Sequence, residues 1–209
     1  MATEGAIGGA LEAIVLAGGA GVRFGGGKLT APWGDGALID GALASAFAAP
    51  VRAVTVVIGA DAGVEAAVRA YAEHAGQSPR LRVVHCPEHA EGMGATLRTG
   101  VASLPADAAG VFVFLGDMPR VPVAVLPKLA DAVAAGAPAA APTFEGQRGH
   151  PVLFARALFP GLLALTGDEG ARAVLRSLGD RLALVESRNA GVLFDVDQPS
   201  DLDAGRKKS

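Results

Sequence analysis

"AIVLAGGAGVRFGGGKL", Ala13 to Leu29, decides how the fold is read. Its opening is aliphatic throughout rather than alternating in polarity, which predicts a strand buried on both faces. The strand runs straight into glycines that bracket Arg23 and Lys28. Consecutive glycines let backbone N–H groups approach a phosphate closely. Arginine adds a planar two-pronged contact and lysine a point charge. The competing reading is a surface loop whose charges are solvated.

Spacing removes two familiar phosphate loops. The dinucleotide fingerprint needs glycine at i, i+2 and i+5; from Gly19 the third position is Phe24, and from Gly25 it is Thr30. The ATPase phosphate loop needs glycine five residues before the Gly-Lys pair and Ser or Thr after it. Val22 and Leu29 hold those places.

The rest of the chain repeats the pattern. "AVTVVIG", "LRVVHC" and "GVFVFLGD" read as further strands buried on both faces, separated by the helical stretches "LIDGALASAFAAP", "DAGVEAAVRAYAEHAG" and "GATLRTGVASLP". Alternating strands and helices predict an α/β fold, a single doubly wound and mostly parallel sheet with right-handed crossovers. After Asp117, "VAVLPKLADAVAAGA" reads as a helix. "AAAPTFEGQRGHPVLF" reads as a late β-hairpin turning over Gly146 to Gly149, and "DEGARAVLRSLGD" as a helix. "LALVES" and "GVLFDVD" read as late strands, and "PSDLDAGRK" as a closing helix whose start falls to Ser200 or Asp201. Residues 1–11 read as a flexible arm and residues 12–206 as one domain.

Composition agrees with this. The 209 residues are 51% hydrophobic and 5% aromatic, which suits a parallel sheet under Ala-rich helices. A net charge of −3 without a basic stripe excludes a nucleic-acid polymer as partner. Cys86 is the single cysteine, read as a small buried hydrophobe. With no signal segment or membrane-length apolar run, the expectation is a cytoplasmic protein.

Ligands of open α/β sheets bind beyond the carboxyl ends of the strands. Those ends carry the glycine loop after Leu16, "GDMP" at Gly116 to Pro119, and "DVD" at Asp195 to Asp197, so all three are expected on one rim.

"LAGGAGVRFGGGKL" resembles the signature L-A-[AG]-G-x-[SG]-x-R-[MF]-G-x-x-K of the molybdenum cofactor cytidylyltransferases and guanylyltransferases (MobA/MocA-like), which share the fold of the sugar-phosphate nucleotidyltransferases. "EGMGATLRTGV", "GDMP", "RGHPVLF", "GDEGARAVL" and "DVDQPSDL" resemble further family segments, in the family's order. The resemblance implies transfer of a nucleoside monophosphate from an NTP to a molybdopterin-like phosphate, with magnesium and release of pyrophosphate. It implies Arg23, Lys28 and Asp117 as catalytic. Leu16, Ala17, Gly18, Gly19, Gly21, Arg23, Lys28, Thr96 and Arg98 would bind the nucleotide. Asp117 and Asp197 would hold the metal, with Asp195 competing for the second place since residues two apart on a strand share a face. Arg148, Gly149, His150, Asp168 and Arg172 would bind the acceptor.

Plainer readings stand beside these. Asp117 caps the turn at Pro119, Arg98 is a solvated helix charge, His150 is a hydrogen-bonded turn residue, and Asp168 pairs with Arg172 four residues on. The base is open. Downstream segments look like the cytidylyltransferase branch and favour CTP, while Leu16 to Gly19 read L-A-G-G, the guanylyltransferase form. Thr96 stands where serine is usual, and "VVHCPEH" where an asparagine-containing loop is. Sugar- or alditol-phosphate transfer, and nucleotide binding without turnover, are the alternatives. A monomer or weak homodimer, with a molybdoenzyme or its chaperone as recipient, completes the expectation.

Overall fold

The computed structural model describes residues 10–19, 24–59, 61–167 and 170–203. β1 (Leu11–Ala17) leads to a short hairpin, β2 (Pro32–Trp33) and β3 (Gly36–Ala37), then to α1 (Leu38–Ala48), β4 (Val54–Ile58), α2 (Ala62–His74) and β5 (Leu81–His85). Next come α3 (Met93–Ala102), β6 (Gly110–Leu115), α4 (Leu126–Ala134), β7 (Ala139–Phe144), β8 (Gln147–Arg148) and β9 (Val152–Ala155). The chain closes with α5 (Phe159–Leu163), α6 (Arg172–Leu178) and β10 (Leu182–Glu186).

β1 is aliphatic because it lies mid-sheet, parallel to β4 on one side and to β6 on the other. The sheet order is β5-β4-β1-β6-β9-β7-β10, with β8 paired to β7. β9 is antiparallel to both neighbours and β8 antiparallel to β7, while the remaining pairings are parallel. Each face buries its own apolar layer. Val15, Phe112 and Phe114 meet Leu43 of α1, Val68 of α2 and Leu129 of α4 on one side. Ile14, Val57 and Phe154 meet Leu97 of α3, Leu162 of α5 and Leu175 of α6 on the other. This is the single α/β domain expected, with a mostly parallel sheet.

Four details differ from expectation. β5 is an edge strand, half-exposed rather than buried on both faces. In the late hairpin the turn is tighter, at Glu145 (φ 50°) and Gly146 (φ 76°), and the returning strand β9 inserts between β6 and β7. "GVLFDVD" is not a strand: a 3-10 turn at Ala190–Val192 opens it, and the chain beyond crosses the ends of the sheet strands. "PSDL" forms a 3-10 turn, Pro199–Leu202, with Asp201 accepting from the backbone N–H groups of Asp197 and Gln198 from inside the turn.

Candidate active site

Parallel strands bring their carboxyl ends to one rim, and three of them shape the site. β1 ends in Gly18 and Gly19, β4 in Gly59, and β6 in Gly116-Asp117. The last turn of the glycine loop is held by Gly25, Gly26 and Gly27, at φ 85°, 93° and 62°. Side chains other than glycine disfavour that region, so "GGGK" delivers Lys28 by backbone conformation. Its ammonium donates to Asp117 Oδ2 at 2.7 Å and lies 3.5 Å from Asp197 Oδ1.

The "DVD" segment reaches this cluster through backbone hydrogen bonds. Val196 N–H donates to the Asp117 carbonyl at 3.0 Å, and His150 N–H to the Val192 carbonyl at 2.9 Å. Val196 is fully buried, so Asp195 and Asp197 both face outward although no strand carries them. Partial desolvation, then repulsion from Asp197 and Asp117, pushes the Asp195 carboxyl above the usual carboxylate range.

Two cavities flank the cluster. One, of about 280 Å³, is walled by the backbone at Ala17 to Gly19, Gly27 and Gly59, with Lys28, Asp61 and His89 as its polar side chains. The other, of about 320 Å³, joins apolar side chains, Leu16, Met93, Met118 and Phe154 among others, to a polar set of Arg148, His150, Arg172 and Asp195. His150 makes a backbone hydrogen bond with Val113, and its buried Nδ1 has no partner among the described residues. Burial pushes its imidazole down to about 4, against the pull of Asp117, so the ring is neutral near pH 7.

Lys28, Asp117, Asp195 and Asp197 are thus brought together, with Leu16 to Gly19 beside them and Arg148, Gly149, His150 and Arg172 around the larger cavity. Thr96 is buried beneath Gly18. Arg98 is engaged elsewhere: it donates to the Leu165 carbonyl at 2.7 Å and lies 3.4 Å from Glu91. Gly21, Arg23 and Asp168 lie outside the described residues. Sequence reasoning passed over Gly59, Asp61 and His89. Their signal was positional, because the turns after "AVTVVIG" and "LRVVHC" end on the same rim.

Among the described residues no group of three or more histidine, cysteine or carboxylate side chains is arranged to hold a metal by itself. Magnesium, however, is commonly held by one or two carboxylates with phosphate oxygens and water. Asp117 and Asp197, already bridged by a cation in Lys28, fit that requirement.

The molybdenum cofactor cytidylyltransferase of Escherichia coli K12 is 25% identical over 201 residues, 95% of this chain and 97% of that one. The purine catabolism protein PucB of Bacillus subtilis 168 is 35% identical over 129 residues, 58% of this chain and 60% of that protein. The crystal structure of Rv0371c from Mycobacterium tuberculosis H37Rv matches with a TM-score of 0.76 at 26% identity, over 94% of this chain and 97% of that one. The same protein in complex with manganese matches with a TM-score of 0.77 at 24% identity, over 96% and 100%. The MobA-like NTP transferase domain matches residues 13–182, from the strand that opens the rim to the first residue of β10. The chain therefore belongs to the MobA-like NTP transferase family and is a nucleotidyltransferase.

Proposed function

We propose that the protein transfers a nucleoside monophosphate from an NTP, CTP in preference to GTP, to a phosphate of molybdopterin or a similar small acceptor, releasing pyrophosphate. The observation that carries this reading is the Lys28, Asp117 and Asp197 cluster standing between two cavities, one walled by the glycine loop and the other carrying Arg148 and Arg172 among apolar side chains. The backbone-walled cavity suits a nucleotide. The larger cavity suits a flat acceptor whose anionic group meets Arg148 and Arg172, with Gly149 and His150 beside them; Asp168, outside the described residues, is carried over from the family resemblance as a further acceptor residue. The length-wide likeness to a cytidylyltransferase of the molybdenum cofactor supports both substrates.

An oxygen of the acceptor phosphate, already anionic, attacks the α-phosphorus in line. The new P–O bond forms as the bond to the oxygen bridging to the β-phosphate breaks, and its electron pair leaves on pyrophosphate. The nucleophile has no proton to lose, so the work falls to positioning and charge neutralisation. Arg23 and Lys28 neutralise charge growing on pyrophosphate. Asp117 and Asp197, with Asp195 the competitor for the second place, hold Mg2+, which when bound supplies charge neutralisation at the α-phosphate. The protein works in the cytoplasm as a monomer or weak homodimer, and the product passes to a molybdoenzyme or its chaperone.

The Asp117→Ala variant should lose magnesium-dependent pyrophosphate release from molybdopterin and CTP while its melting curve stays near wild type. Wild-type-like turnover in that variant would overturn the site. Tighter calorimetric binding of GTP than of CTP in magnesium would overturn the base.

A further inference from the structure

The nucleotide cavity holds one aromatic polar side chain, His89, and its surroundings fix both its tautomer and its seat. The loop that carries it is pinned to the rim, with Cys86 N–H donating to the Ile58 carbonyl at 2.9 Å. His89 Nδ1 lies 3.1 Å from the Cys86 carbonyl oxygen. A carbonyl only accepts, so the proton between them belongs to Nδ1, and Nε2 of the neutral ring carries a lone pair. Nε2 has no partner among the described residues.

The ring rests where Gly59 has no side chain. A Cβ there would lie 2.9 Å from His89 Cδ2, 3.1 Å from Cγ and 2.7 Å from the Gly18 carbonyl oxygen. Glycine at 59 thus leaves room for both the imidazole and the Gly18 carbonyl. Cγ and Cδ2 face Gly59 and Nδ1 faces its own loop, which leaves Nε2 and Cε1 as the free edge of a residue that lines the cavity. Of the other polar side chains there, Lys28 belongs to the carboxylate cluster, and Asp61 starts α2 by accepting from Gly63 N–H at 2.9 Å.

We propose that His89 selects the base: its Nε2 accepts a hydrogen bond from an exocyclic amino group. A base that offers an amino group there is held, and one that offers a carbonyl oxygen sets lone pair against lone pair. The site therefore takes CTP and rejects UTP. This rests on the smaller cavity being the nucleotide site.

The test is calorimetric titration of wild type, His89→Phe and His89→Gln with CTP and UTP in magnesium, with melting curves as the fold control. Wild type should prefer CTP by at least about tenfold, the size of one hydrogen bond lost with its partner left unpaired. His89→Phe keeps a flat ring without an acceptor and should bring the CTP:UTP ratio close to one by weakening CTP. His89→Gln, whose amide both accepts and donates and can turn to meet either base, should also bring the ratio toward one; it serves if the phenylalanine variant does not fold, and an unchanged ratio in it overturns the role equally.

A wild-type ratio near one, or an unchanged ratio in folded His89→Phe, overturns the role of His89 and leaves the nucleotide site standing. Absence of binding by wild type to CTP, UTP and GTP alike overturns both. If GTP is the tighter ligand, the same variants are read with GTP against ITP, which lacks the amino group, and an unchanged ratio there overturns the role equally.

Discussion

A methyl group on Gly18 would lie 2.7 Å from the Thr96 hydroxyl oxygen and 3.0 Å from its methyl carbon. Thr96 is 2% exposed and stiff at its branched Cβ, so it has little room to yield. The glycine that raised GTP as a candidate is therefore accounted for by a packing partner. Against a sequence with alanine at 18 and serine at 96, this chain has moved one methyl group across a contact. Gly18→Ala should destabilise the fold by about 1–3 kcal/mol through overpacking. Adding Thr96→Ser removes the methyl and lets the hydroxyl rotate, so the double variant should recover most of that loss in a thermal melt. Its CTP:GTP binding ratio should match wild type. A ratio shifted toward CTP in the double variant would show that Gly18 reads the base directly.

At the scale of elements, legibility followed burial. β1, β4 and β6 were readable because mid-sheet strands are covered on both faces and leave continuous aliphatic runs. The edge position of β5 and the insertion of β9 beside β6 were not, because strand order is settled by contacts between distant segments. The "GVLFDVD" segment misled for a related reason. Its apolar alternation is real, with Val196 buried and Asp195 and Asp197 outward, but it serves a crossing over the rim instead of a place in the sheet. Asn189 opens that crossing by accepting from Gly191 N–H at 2.7 Å. Gly191 is pressed against the Arg120 backbone carbonyl with no space for a Cβ, and the Arg120 guanidinium lies over Phe194 at 4.3 Å and Trp33 at 5.3 Å. Gly191→Ala should thus displace the crossing and carry Asp195 and Asp197 away from Lys28. The magnesium concentration needed for half-maximal pyrophosphate release should rise severalfold. An unchanged magnesium dependence would mean that the crossing does not position the carboxylates.

The whole molecule separates two of its charge clusters by the length of the sheet. Lys28, Asp117 and Asp197 sit past the carboxyl ends of the strands, where substrates arrive, while Glu12, near the start of β1, is enclosed at the opposite end with its side chain at 0% exposure. Arg52 pairs with Glu12 and binds both oxygens of Asp107, at 2.8 and 2.9 Å, holding the Asp107 carboxyl down to about 2. Arg82 stands farther off, 3.6 Å from the other Glu12 oxygen, which has no hydrogen bond. Arg52 itself is partly exposed, but without it the enclosed Glu12 carboxylate keeps only the more distant Arg82 as counter-charge, which destabilises the fold. Arg52→Ala should therefore lower Tm, and the Arg52→Ala/Glu12→Gln pair should regain part of the loss because no buried charge is left behind. Since this cluster ties the start of β1 and touches neither cavity, kcat and KM for CTP measured well below the lowered Tm should stay at wild-type values. A changed KM would mean that strain at the far end of β1 reaches Gly18 and Gly19, and that the sheet transmits position along its central strand instead of isolating stability from the site.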